Sequence, residues 1–196
     1  MIVWKVINNV AKLVTRIVRQ AETQCIKASL KACGNNFSLE SGGRFLHPEF
    51  VEIGDNVIIN SHVWFSIESL GNGTSDPSLK IGKGTYIGRF TTFACVNQIL
   101  IGDNVLISDR VFIADSLHGY RDIAVPIRHQ ALYSPGPVEI GDGTWIGIGV
   151  SILPNVRIGK NCIIGANAVV THDVPDYHVA IGVPAKNIGR ADRCRD

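Results

Sequence analysis

Large apolar residues return every sixth position along most of this chain. From Ile53 the series runs through Ile59 and Phe65, restarts at Ile81, Ile87 and Phe93, and restarts again at Ile101, Ile107 and Ile113. After a gap it resumes at Ile140, Ile146, Ile152, Ile158, Ile164 and Val170. A smaller or branched residue usually stands four places after each: Val57, Val63, Thr85, Thr91, Val105, Val111, Thr144, Val150, Val156, Cys162, Ala168 and Val174. A period of six fits neither the 3.6-residue stripe of an amphipathic helix nor the alternation and turn pairs of hairpins. It predicts an all-β solenoid, a parallel β-helix in which three six-residue units make one coil and two side chains per unit point inward. Glycine follows the aliphatic residue at positions 54, 82, 88, 102, 141, 147, 159 and 165, and the reading there is a tight corner that glycine tolerates.

The first 36 residues follow a different pattern. Val3, Val6, Ile7, Val10, Leu13, Val14, Ile17 and Ala21 share one helical face, with Lys5, Lys12, Arg16 and Arg19 opposite, which predicts a short basic amphipathic helix. The chain has 196 residues and a net charge of +2, and the positive charge is concentrated here: six basic groups against Glu22, while acids outnumber bases beyond. The plainest expectation is that the apolar face packs on the end or side of the solenoid and the basic face is solvated. The alternative is peripheral attachment of residues 1–21 to anionic lipid at the inner face of the membrane. Charges at Lys5, Lys12 and Arg16 interrupt the apolar run, so neither a spanning helix nor a signal-peptide core is expected. The domain plan is a helical segment 1–36, a solenoid 37–190 and a tail 191–196.

Cys25, Cys33, Cys95, Cys162 and Cys194 form no CxxC pair and follow no secretory leader, so reduced thiols in a cytoplasmic protein are expected. The acidic balance beyond the helix, with no basic and aromatic stripe, excludes a nucleic-acid partner.

Three interruptions break the repeat: the turn-rich Gly71–Pro77, a two-residue register shift at Gln98 and Ile99, and a long loop from Gly119 to Pro137. His118 introduces that loop. It follows Leu117, read as inward, so its imidazole should point outward at the loop mouth. A histidine alone in such a place is ordinarily a surface residue; one titrating near neutrality at the lip of a rigid solenoid is a candidate general base.

The repeat, the Asp115-x-x-His118-Gly119-Tyr120 segment, the Val125-Pro126-Ile127-x-x-Gln130 segment and Trp145-Ile146-Gly147 together resemble the hexapeptide-repeat acyltransferases. The tail agrees, with Ile164-Gly165-Ala166, Val170-Thr171, Asp173-Val174-Pro175 and Gly182-Val183-Pro184-Ala185-Lys186. The resemblance covers about residues 50 to 190 and is nearest to the O-acetyltransferases of bacterial surface polysaccharides, with galactoside and maltose acetyltransferases as relatives. It implies a left-handed winding, against the usual right-handed crossover.

It also implies direct transfer of an acetyl group from acetyl-CoA to a saccharide hydroxyl, with His118 as general base and no metal. The N–H of Ile148 would hold the oxyanion, and Ala166 would lie one coil later on the same face. Trp145 is either a wall for the pantetheine arm or a shielding corner aromatic. Thr171, Lys186 and Arg190 match later CoA contacts, and His172 stands where relatives often carry lysine. The family places CoA between copies, which implies a homotrimer.

For the acceptor, free or lipid-linked, Asn97 (at an inward position), Asp115 and Tyr120 are the candidates. A turn-satisfying amide and a loop-capping carboxylate are the plainer roles of Asn97 and Asp115. Other readings are transfer to an amino sugar or small free sugar, a zinc-dependent carbonic anhydrase of the gamma type, and a non-catalytic solenoid. The histidine spacing lacks the His-x-x-x-x-His pair of that anhydrase family.

Overall fold

The computed structural model describes residues 2–70 and 76–193, so positions 71–75 of the expected insertion and Cys194 lie outside the description. The helix α1 spans Ile2–Ser29. The first strand, Ala32–Cys33, already begins within the 1–36 segment.

From there the chain winds through three parallel sheets, and each coil contributes one strand to each. The register explains the period. Ile53, Ile81, Ile101, Ile140 and Ile158 stand side by side in the first sheet. Leu39, Ile59, Ile87, Ile107, Ile146 and Ile164 do so in the second. Phe45, Phe65, Phe93, Ile113, Ile152 and Val170 form the third ladder. Phe45 and Phe65 stack at 4.3 Å, and Phe93 follows at 4.9 Å. The smaller residues four places on are buried between these ladders, making one continuous core. Among them the buried threonines are satisfied locally: Thr144 Oγ1 donates to Gly159 O at 2.8 Å and accepts the Cys162 N–H at 3.1 Å.

The corner glycines have a different cause from the one expected. At Gly82 and Gly102 the backbone is not left-handed; a Cβ on Gly82 would lie 2.4 Å from the Gly102 carbonyl, and one on Gly102 would lie 2.8 Å from the Asp142 amide nitrogen. Close approach of successive coils, and not the bend, demands glycine there. The left-handed turn falls two residues later, at Gly84, Asn104 and Gly143, where Asn and Gly are the residues that bear positive φ. The aspartate of the Ile-Gly-Asp motif has its own task. Asp103 accepts the backbone N–H of Lys83, and Asp142 accepts that of Asp103, both at 2.9 Å, each tying one corner to the coil before it.

α1 corrects a second expectation. Among the described side chains its C-terminal end meets the solenoid: Arg19 pairs with Glu40, Thr23 Oγ1 donates to Leu39 O, and Ile26 packs on the core beside buried Leu30. The apolar face does not pack there; Ile7, Val10, Leu13, Val14, Ile17 and Val18 are all exposed. At the other end, His178–Ile181 joins the second sheet in parallel and Lys186–Arg190 folds back antiparallel against it, closing the stack.

Candidate functional site

The coil path breaks off at Ala114 and resumes at Val138, and in between Leu117–His118 pairs antiparallel with Leu132–Tyr133. Leu117 is exposed, not inward; Asp115 is the residue that turns in. Its carboxylate accepts the N–H of Val96 at 2.8 Å and of Asn97 at 2.9 Å, and the Cys95 thiol donates to it at 3.5 Å. Burial pushes the Asp115 carboxyl above its ordinary range, and pushes the Cys95 thiol up as well. The donors come from the turn that the register shift at Gln98 creates. Asn97 is half-buried and does not enter the core; its Nδ2 donates to Ser134 Oγ at 3.4 Å. Asp115 and Asn97 therefore fasten the entrance and exit of the excursion to the preceding coil.

Inside the excursion, Gln130 acts as a brace. Its Nε2 donates to Asp122 O and Val125 O, both at 2.8 Å, while Gly119 N–H donates to Ala131 O at 2.9 Å. The Val-Pro-Ile-x-x-Gln segment thus has a mechanical reason: the amide side chain replaces ladder bonds that so short a hairpin cannot make.

His118 is exposed and lines a recess of about 250 Å³ with Trp64, Ser66, Glu68, Ala94, Cys95, Val96, Ser116 and Leu132. Trp64 presents a half-exposed indole, and Ser66 Oγ donates to Glu68 Oε1 at 3.4 Å. An aromatic face, hydroxyls, a carboxylate and an imidazole around one cavity are suited to a polyhydroxylated ring. Trp64, Ser66 and Glu68 are outward positions of ordinary repeats and carry no motif. Register alone could have found them, because Ser66 stands beside Ala94 and Ala94 beside Ala114. Tyr120 is not in this recess; with Gly119, Arg121, Gln130 and Tyr133 it lines a separate one of about 220 Å³.

Neither Trp145 nor Ile148 lines the His118 recess. Trp145 lies on the outside of the second sheet between Leu106 and Ile163, its Nε1 donating to Ser108 Oγ at 3.2 Å. Ile148 sits at the following corner, exposed. At comparable corners an aspartate of the next coil accepts the backbone N–H, as Asp109 does for Arg89 at 2.8 Å and Asp176 for Lys160 at 2.9 Å. Beneath Ile148 that place is held by Ala166, whose amide nitrogen would be 2.7 Å from a Cβ on Gly147. The Ile148 N–H has no acceptor among the described residues.

Thr171 and His172 are joined by a 2.8 Å hydrogen bond and line a recess of about 670 Å³ with Pro137, Glu139, Asn155, Arg157 and Asp173. Lys186 is exposed on the terminal strand. Arg190 is bound by Asp192 at 2.7 and 2.9 Å and lies 5.3 Å from the Tyr177 ring centre. Among the described residues no group of three or more His, Cys, Asp or Glu could hold a metal ion.

Residues 137–172 match the family described as bacterial transferase hexapeptide (six repeats). The galactoside O-acetyltransferase of Escherichia coli K12 is 35% identical over 144 residues, 71% of this chain and 63% of that protein. A putative acetyltransferase of Saccharomyces cerevisiae, YJL218W, is 35% identical over 170 residues, 85% of this chain and 69% of that protein. The crystal structure of a maltose O-acetyltransferase from Clostridium difficile 630 superposes with a TM-score of 0.61 at 26% identity, covering 93% of this chain and 84% of that one. This chain spans 42 to 69% of the length of four such curated relatives. Coils in register, an aspartate-tied corner ladder and these matches together place the chain in the hexapeptide-repeat acyltransferase family.

Proposed function

We propose that this protein is an acetyl-CoA-dependent O-acetyltransferase, wound left-handed as its family implies, that modifies a hydroxyl of a bacterial surface saccharide such as an O-antigen, capsule or exopolysaccharide precursor. The observation that carries this reading is the recess in which His118 faces Trp64, Ser66 and Glu68. Trp64 would stack on the apolar face of a sugar ring, with Ser66 and Glu68 taking its hydroxyls. His118 removes the acceptor hydroxyl proton as that oxygen attacks the thioester carbonyl; the ester C–O bond forms, the C–S bond breaks, and the proton passes to the CoA sulfur. The Ile148 N–H, uncontested by a carboxylate, is the oxyanion donor. Asn97, Asp115 and Gln130 hold the loop and do not touch the acceptor. Thr171 and His172 are assigned to the CoA side, with Lys186 as the accessible cation. An amino-sugar acceptor is the second reading, favoured by Glu68, whose carboxylate would attract a protonated amine.

His118 and the Trp145–Ile148 corner line different parts of one protomer, so we assign the complete site to two neighbouring copies of a homotrimer. An outward apolar row supports such an interface: Ile58, Tyr86, Leu106 and Trp145 stand in register on the second sheet and are all exposed. Trp145 then serves both as interface residue and as wall of the donor groove. The location we assign is the cytoplasm.

CoA-thiol release from acetyl-CoA, measured across free and lipid-linked saccharides, tests this reading. Release that depends on a saccharide acceptor is expected. No release above background with any member of the panel would overturn it.

A further inference from the structure

The stripe by which α1 meets the first coil, Arg19, Thr23 and Ile26 with Leu30 just past the helix end, follows helical spacing. At about 100° per residue this stripe lies opposite Val10, Val14 and Ile17. The solenoid therefore sits on the polar side of the helix, and the apolar side faces away. Six aliphatic side chains on that side are 48 to 57% exposed, and Trp4 is 74% exposed.

We propose that α1 lies in the headgroup region of an anionic bilayer, apolar face inserted and solenoid carried on its polar side. Three observations favour lipid over a bundle of α1 helices from neighbouring copies. The apolar sector from Leu13 round to Trp4 covers about half the circumference, wider than the seam a bundle buries. The helix carries Lys5, Lys12, Arg16, Arg19 and Lys27 against Glu22 alone, a charge complementary to anionic lipid. Trp4 stands near one end of the apolar face, where an aromatic suits the lipid boundary. Among the described residues no helix is long and apolar enough to cross a membrane, so the attachment is in the plane of the surface. A trimer would present three such helices and multiply weak single attachments. The inference rests on the helix alone and not on the catalytic reading.

Sedimentation of the full-length protein with phosphatidylcholine vesicles, with and without about one quarter phosphatidylglycerol, tests it. The wild type should pellet with the anionic vesicles and bind the neutral ones at least about tenfold more weakly, with the difference reduced in high salt. Val14→Glu with Ile17→Glu should lower binding by more than about tenfold while CoA release on a free saccharide stays unchanged. Replacing Lys5, Lys12 and Arg16 by Gln should weaken anionic-vesicle binding about fivefold per charge. Wild type left in the supernatant with anionic vesicles, or a double-Glu variant that pellets equally well, would overturn the inference. So would a double-Glu variant that dissociates the oligomer in light scattering while wild type ignores both vesicle types, since that is the signature of a helix bundle. Absence of CoA release in the wild type would instead sink only the catalytic reading.

Discussion

The coil corners and the His118 excursion handle backbone polarity in opposite ways. At the corners, successive Ile-Gly units approach so closely that Gly82 and Gly102 have no room for a side chain, and Asp103 and Asp142 bind backbone N–H groups of the coil before. In the excursion a short two-residue pairing is supplemented by Gln130, and Leu117, Tyr120, Ile123 and Ile127 stay exposed. The first arrangement repeats and locks; the second is braced at few points and leaves its surface open to a ligand. Substitutions in the coils should therefore be read in stability, and substitutions in the excursion in turnover.

The sharpest break between the two regions is His118→Ala. Turnover should fall by about 10²–10⁴-fold, with acetyl-CoA affinity and melting temperature near wild type. Retained turnover, measured as CoA-thiol release, would remove the excursion from the chemistry. In the coils, Ile146→Ala opens a cavity in the second ladder and should cost about 2–5 kcal/mol in a urea melt, while turnover per folded molecule holds. Loss of turnover without loss of stability would erase the contrast.

Asp115 belongs to both regions, and Asp115→Asn should show it. An amide in that site turns an NH₂ toward one of two backbone donors, leaving a buried N–H unsatisfied at a cost of about 1–3 kcal/mol. The acceptor KM should rise as well, because the loop entrance is loosened; an unchanged KM would confine Asp115 to the scaffold. The smallest effect is electrostatic. The Lys31 hydrogen bond, joined by Lys80, holds the Glu52 carboxyl below its ordinary range. A lowered carboxyl contributes stability above its unfolded value and loses it as the pH falls through the lowered folded value. Because the lysines are more than half and about half exposed, Glu52→Gln should cost under about 1 kcal/mol at neutral pH, and the difference should vanish in acid melts.

The solenoid was readable because each coil places the same positions in the same surroundings, so Ile53, Ile81 and Ile101 obey one rule. What pairs across coils was harder to see. Asp115 looked like a surface cap because its donors, Val96 and Asn97, come from a turn whose shape depends on the register shift. Trp64, Ser66 and Glu68 went unnoticed because nothing local distinguishes an outward residue that borders a cavity from one that borders water. The helix α1 was evident from its two faces, yet an apolar face reveals nothing about which side the solenoid occupies; Arg19 and Thr23 decided that through Glu40 and Leu39. The glycines were correctly located, but the cause lay in the next coil.

The central claim is that one active centre is assembled from two copies, His118 from one and the Ile148 corner from the next. Ile148→Pro removes the N–H in question, and the coil tolerates it: Pro154 occupies the equivalent corner one step later, before Asn155, as Ile148 stands before Gly149. His118→Ala and Ile148→Pro chains, each inactive alone, should be co-assembled and assayed for acetyl transfer. A 1:1 co-assembled population should recover about a quarter of wild-type turnover, since about one interface in three of each mixed trimer unites an intact His118 with an intact Ile148 and the two homotrimers contribute nothing. Mixed trimers as inactive as either parent would contradict the shared site.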